Sequence, residues 1–386
     1  MLDTIVTPEP RAQSKNDLLN KLIDCPLDFT DADFRALLHN DLGLTFKDMR
    51  EAVLRIFDIN DSIFLEESNA SNLLNRRSQK KRNDRFYKRF RKGLDRAKAK
   101  VIVAEGDSWF EFPYFINDII DHLNDTPHYA IHSLAYGGDW LTNIIYEGRY
   151  VEKLSTLNPD VFLVSGGGND LVGSDRIGIM VNSAGGGALR YKDVDTLIAR
   201  LELLYGQRDS PLHSNAEVDV FMRTQGFVRP SFHSFILLMK LQYTVMFRNI
   251  HRKFPKLKII TQAYDYALPS GRYNGSWLSL HRLVNKFLKT GRWLYVPLMA
   301  NGITDPDLQR RLVRYMIFEF NLMFAEIAMT TDNVFHIDCR GVAKGPNDWY
   351  DELHLKSDKY KEVADAYRAC IDSKDDLKKI YFAAKK

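Results

Sequence analysis

The sequence predicts an α/β fold, a doubly wound parallel sheet of about five strands. Two observations carry this. From Lys100 onward, short runs of β-branched and apolar residues alternate with helical patterns, the signature of parallel strands joined by crossovers. The strand candidates are Val101 to Glu105, His128 to Leu134, Asp160 to Ser165, Leu257 to Ala263 and Asn333 to Asp338. Three of them run into Gly-rich or Gly/Asp-containing turns, where such a sheet places its sites.

Before Lys100 the texture differs. NDLLNKLI, then TDADFRALLHNDLG with Thr30 as N-cap and Gly43 beyond its end, then TFKDMREAVLRIF read as short amphipathic helices. The chain therefore divides into a helical region, 1–97, and an α/β domain, 98–386. Charge is unevenly spread. Residues 76–100 hold 13 Lys/Arg against Asp84 and Asp95, a local charge of +11, whereas the whole chain carries +4 and the remainder therefore −7. Phe86, Phe90 and Leu94 recur at i, i+4 and i+8 here, predicting a helix with one narrow apolar stripe. Two readings stay open for Arg76 to Lys100: a solvated basic face on a helix beside the first strand, or contact with anionic lipid or nucleic acid.

Length and composition set bounds. With 386 residues, 45% hydrophobic and 27% charged, the chain can bury a full core and falls in the globular class. The N-terminus lacks the basic start and apolar stretch of a secretory signal. The most apolar run, PSFHSFILLMKLQYTVMF, is interrupted by His233, Lys240 and Gln242 and reads as a buried helix, not a membrane span. Cys25, Cys339 and Cys370 are odd in number and widely separated, which argues against a disulfide framework or a zinc site and for a reducing compartment, the cytoplasm. No metal or other cofactor is expected, since the histidines show no ligand spacing.

Four short blocks carry the chemistry. VIVAEGDSWF breaks from strand to turn at Gly106 and delivers Ser108; SLAYGGDWLTN holds Gly137, Gly138 and Asp139; FLVSGGGNDLVG holds Asn169 and Asp170; DWYDELHLKSDKY holds Asp351 and His354 three residues apart. Singly, each reads as an ordinary turn, cap or surface pair. Together, at the ends of predicted strands, they fill the four roles that acyl transfer needs. Ser108 is the nucleophile, His354 its base, Asp351 the group that fixes the base's tautomer, and Gly138 with Asn169 the donors for the oxyanion. The Gly-x-Gly-x-x-Gly spacing of a dinucleotide site is absent from SGGGND.

In these blocks and their order the sequence resembles the SGNH, or GDSL-like, hydrolases, over roughly residues 98 to 386. The resemblance implies a three-layer α/β sandwich with flavodoxin-like strand order and a Ser108-His354-Asp351 triad. It also implies an oxyanion hole made by the backbone N–H groups of Ser108 and Gly138 with the Asn169 amide. Trp109, Asp139, Trp140 and Asp170 flank these positions as candidate substrate-wall residues. Trp109 stands where the family has leucine, and Leu355 where proline often follows the histidine.

Asn169 and Asp351 lie 182 residues apart, more than a minimal member needs, so insertions are expected between strands three and five. One is Ser174 to Arg229, where SAGGGAL reads as a surface loop or a mobile wall. The other is SWLSLHRLVNKFLKTGRWLYVPLM, with Trp277, Leu280, Val284, Phe287 and Leu288 on one helical face and Arg282, Lys286 and Lys289 on another. That helix packs on the core or, if exposed, faces a lipid-like ester. The expected activity is hydrolysis of a carboxylic ester, of a lipid or lysophospholipid among others. The alternatives are an O-acyltransferase or carbohydrate O-acetylesterase, and an adaptor for anionic surfaces or nucleic acid with an inert hydrolase-like domain.

Overall fold

The computed structural model describes residues 14–39, 42–58, 69–93, 95, 98–112, 116–172, 176–206, 215–270 and 293–384. Its centre is one parallel sheet of six strands in the order β2-β1-β3-β4-β5-β6. The strands are β1 (Lys100–Gly106), β2 (Tyr129–Ser133), β3 (Val161–Ser165), β4 (Lys258–Gln262), β5 (Val334–Asp338) and β6 (Ile380–Phe382). The first five are those read from the sequence. The sixth was missed because three residues carry no alternation to read; it pairs with His336, Ile337 and Asp338 at the sheet edge. β2, β3 and β5 are buried along their whole length, as a parallel sheet with both faces covered requires.

Helices Arg149–Leu157, Pro230–Lys253 and Pro306–Thr330 cover one face, where Tyr150 stacks on Phe162 and Phe324 on His336. Helices Ile119–Asn124 and Ser357–Asp372 cover the other, where Tyr367 meets Phe110 and donates to Gln262. The apolar run from Pro230 is the buried helix expected. Among the described residues no helix is long and apolar enough to cross a membrane.

The helical start shares its core with the sheet. Helices Lys15–Asp24, Asp31–Leu37 and Phe46–Phe57 each open with a capping box, at Ser14, Thr30 and Thr45. Leu22, Leu37 and Val53 join one continuous hydrophobic core with the strands, and Phe57 meets Phe235 at 5.8 Å between ring centroids. The predicted boundary near residue 97 thus separates two sequence textures but not two cores.

The basic stretch forms the helix Asn69–Arg91, and it covers the exposed edge of the sheet. Asn83 exchanges two hydrogen bonds with the Ser133 backbone, both 2.9 Å; Gln79 donates to Ala135 O at 3.3 Å, Asn75 to Gly137 O at 3.0 Å, and Arg89 to Tyr129 O. As the helix advances, its partners step back along β2, so side chains meet edge groups that would otherwise invite another strand. Phe86 is buried, and Phe90 packs on it with ring centroids 4.7 Å apart; Leu94 lies outside the described residues.

Candidate active site

Ser108, His354 and Asp351 come together from β1 and from the loop after β5. His354 Nδ1–H donates to Asp351 at 2.8 and 2.9 Å, which leaves Nε2 to accept the Ser108 hydroxyl at 2.8 Å. The loop that carries the pair is tight. Tyr350 N–H donates to His354 O, and the N–H groups of Leu353 and His354 both donate to Asp351 Oδ1 at 2.8 Å, so the three-residue spacing folds the carboxylate beneath the ring of its own turn. Burial pushes the Asp351 pKa up, but the adjacent imidazole and these hydrogen bonds more than reverse it, and the carboxyl sits below its ordinary range.

The Ser108 turn is held from several sides. A Cβ at Gly106 would lie 2.6 Å from Ser165 O, so only glycine lets β1 approach β3 where the chain turns out. Asp107 is buried and caps the turn, accepting from Trp109 N–H at 3.1 Å and from the Tyr264 hydroxyl. Burial raises its pKa against those bonds. Trp109, which replaces the resemblance's leucine, gives its indole N–H to Leu353 O at 3.1 Å and so ties the serine loop to the histidine loop.

Gly138 lies in the turn Tyr136–Asp139, closed by Asp139 N–H to Tyr136 O, with φ +92° at the third position as in a type II turn. Among the described residues the backbone N–H groups of Ser108 and Gly138 have no acceptor. Asn169 donates through Nδ2 to Asp139 O at 2.9 Å, leaving the second amide hydrogen for another acceptor.

A cavity of about 630 Å³, its solvent-open mouth included, has Ser108, Trp109 and Asn169 in its wall. The rest is mostly apolar: Leu171, Val172, Ile177, Leu294, Val313, Met316, Ile317, Phe320 and Leu353 among others. Of the candidate wall residues, Trp109 lines it, whereas Asp139, Trp140 and Asp170 do not. Asp170 is buried and accepts from Leu141 N–H at 2.8 Å, at the start of the helix Leu141–Glu147. Asp139 pairs with Arg149 at 3.2 Å, and Trp140 stacks on Arg176, 3.6 Å from guanidinium carbon to ring centroid.

The SAGGGAL turn does not reach the cavity either. Backbone bonds from Asn182 to Phe227 and from Gly187 to Gly226, each 2.8 Å, pin it to the chain before Pro230, so it is tied down and not a free wall. The aromatic-basic pattern of the second insertion, Trp277 to Lys289, lies outside the described residues.

Sequence reasoning missed Tyr264 and Glu352. Glu352 is buried beside His354 and accepts backbone N–H groups of Ser270 (2.8 Å), Leu294 and Tyr295 (both 3.0 Å), joining the histidine loop to cavity-lining Leu294. An acid inside Asp-x-x-His reads as solvent-facing, and no local pattern reveals donors more than fifty residues away. Among the described residues no group of three or more His, Cys, Asp or Glu could hold a metal ion.

No protein-family model matches the sequence, and no curated protein matches it. Among solved structures, an extracellular lipase from Streptomyces rimosus is similar at 11% identity and a TM-score of 0.37, over 69% of this chain and 99% of its own. An alpha/beta hydrolase enzyme from the metagenome of Lake Arreo, Spain, is similar at 13% identity and a TM-score of 0.30, over 73% of this chain and 100% of its own. Likenesses this loose do not bear on activity.

Proposed function

We propose that the protein is a serine hydrolase of carboxylic esters, SGNH-like in its chemistry, that works through an acyl-serine intermediate. The observation that carries this is the continuous line of hydrogen bonds from Asp351 through His354 to Ser108, ending beside an apolar cavity. In the proposed reaction Ser108 Oγ attacks the ester carbonyl as His354 Nε2 takes its proton. Asp351 stabilises the imidazolium, and the N–H groups of Ser108 and Gly138 with the Asn169 amide receive the developing oxyanion. His354 then protonates the departing alcohol, and water, activated by the same imidazole, releases the acid.

The cavity's apolar lining favours an acyl group longer than acetyl, and so lipid esters over carbohydrate O-acetyl groups. Ser108→Ala and His354→Ala, assayed on short and long p-nitrophenyl esters beside the wild type, test the reading; undiminished activity in both variants overturns it. Transfer to an acceptor alcohol instead of water would appear as a transesterified product when the acceptor is supplied.

A second reading concerns the basic helix. Its inner face is committed to the sheet edge, but Arg76, Arg77, Lys80, Lys81, Arg85 and Lys88 are exposed, and none is ion-paired among the described residues. We propose that this stripe contacts an anionic lipid surface, where each such charge adds about 1 kcal/mol and salt screens it. Sedimentation with vesicles of phosphatidylcholine, with and without phosphatidylserine, tests it at low and high salt. Binding that ignores lipid charge, or that goes only to RNA, removes the reading.

A further inference from the structure

The proposed oxyanion donor Gly138 sits on a peptide that can turn over. In a planar trans peptide the carbonyl of Gly137 and the N–H of Gly138 point in opposite directions, so whatever fixes one fixes the other. This peptide is the central one of the turn Tyr136–Asp139, flanked by glycine on both sides. Type I and type II turns differ by rotation of that central peptide, and two glycines lower the resistance to it. In the rotated form a carbonyl oxygen would take the place of the donor and repel the oxyanion.

We infer that Asn75, on the basic helix, is a positioning residue that latches this peptide. Its Nδ2 donates to Gly137 O at 3.0 Å, and its side chain is almost wholly buried, at 1% exposure. The fit is close on both sides: a Cβ at Gly137 would lie 2.8 Å from Glu111 O and 3.1 Å from Asn75 Oδ1. The helix is itself anchored to the segment that follows Ser108. Arg82 pairs with Glu111 Oε2 at 2.9 Å and with Asp121 at 3.0 Å, and donates to Phe110 O. One helix therefore braces the nucleophile's turn through Arg82 and the oxyanion turn through Asn75. The helix lies outside the four sequence blocks, and its composition advertises only charge. The inference rests on the serine-hydrolase reading.

The test replaces Asn75 with aspartate, which keeps the shape but removes the donor, and with alanine. Both variants are expected to lose about 10-fold to 100-fold in kcat with KM within about two-fold, a fraction of what deleting an oxyanion donor costs. They are also expected to bind a trifluoromethyl ketone, which mimics the tetrahedral state, more weakly by the same factor. Gln79→Ala is the control. It removes a similar bond to the edge backbone at Ala135, before the turn, and is expected to change stability without changing kcat.

A folded Asn75→Asp protein with wild-type kcat and inhibitor affinity overturns the latch, as does an equal kcat loss in Gln79→Ala. Undiminished activity in Ser108→Ala instead overturns the reading beneath it. Loss in Ser108→Ala with none in Asn75→Asp removes the latch alone.

Discussion

Tyr264 gives its phenolic hydrogen to Asp107, and the same oxygen accepts Gly168 N–H at 2.9 Å, so one buried side chain ties the turn of Ser108 to the turn of Asn169. Tyr264→Phe strips a partner from both at once. Leaving buried polar groups unpaired costs about 1 to 3 kcal/mol each, so a loss of about 2 to 4 kcal/mol in urea unfolding is expected, together with a fall in esterase turnover. A variant of unchanged stability would show that Asp107 and Gly168 find other partners.

Asp351 holds His354 in the tautomer that leaves Nε2 free to accept. Asp351→Asn keeps the size but presents an amide that can donate to Nδ1 and so select the wrong tautomer. Turnover is expected to fall on the order of 10³-fold to 10⁴-fold, by analogy with other triads, with KM little changed. Retention of more than a tenth of the wild-type kcat would argue that Asp351 does not set the tautomer of His354.

Ile317 lines the cavity beside Ser108 and is nearly buried. Ile317→Trp fills space that an acyl chain would occupy. The ratio of kcat/KM for p-nitrophenyl octanoate to that for the acetate is expected to drop at least about 10-fold, since each displaced methylene forfeits a measurable share of binding. An unchanged ratio would mean the chain lies elsewhere.

Arg82 is one guanidinium facing Glu111, Asp118 and Asp121. Burial lifts Glu111 to about 7 against the pull of Arg82, with Asp121 adding to the rise. An acid whose folded pKa is raised binds its proton more tightly when folded. Its contribution is therefore complete below its unfolded pKa of about 4.5 and is lost as pH climbs through about 7. Glu111→Gln is expected to flatten this slope and, at pH 8, to be more stable than wild type by about 1 to 3 kcal/mol. Parallel pH profiles for the two proteins would refute proton uptake at Glu111.

What was legible in the sequence follows from the range of the forces involved. The five longer strands could be read because burial on both faces leaves runs of apolar residues, as in VIVAEG and VFLVS. The blocks holding Ser108, Gly138, Asn169, Asp351 and His354 could be picked out because tight turns of this kind need particular residues at close spacing. Asp351 and His354 sit in one turn for that reason.

Partners distant in sequence left no such mark. Asn75 looks like any polar residue before a basic run, Tyr264 like a strand-end aromatic and Glu352 like a solvated acid, yet each is buried or largely buried against backbone groups far along the chain. The basic helix shows the limit most plainly. Its cations are visible in composition, but its inner face is chosen by the unpaired edge of β2, which exists only once the sheet has formed. The sequence by itself determined the strands and the order of the proposed reacting groups, because those depend on neighbours a few residues away. Tertiary structure decided which side chains hold those groups in place, because a hydrogen bond between residues 62 or 157 positions apart, as for Asn75 to Gly137 and Tyr264 to Asp107, is set by packing and not by spacing.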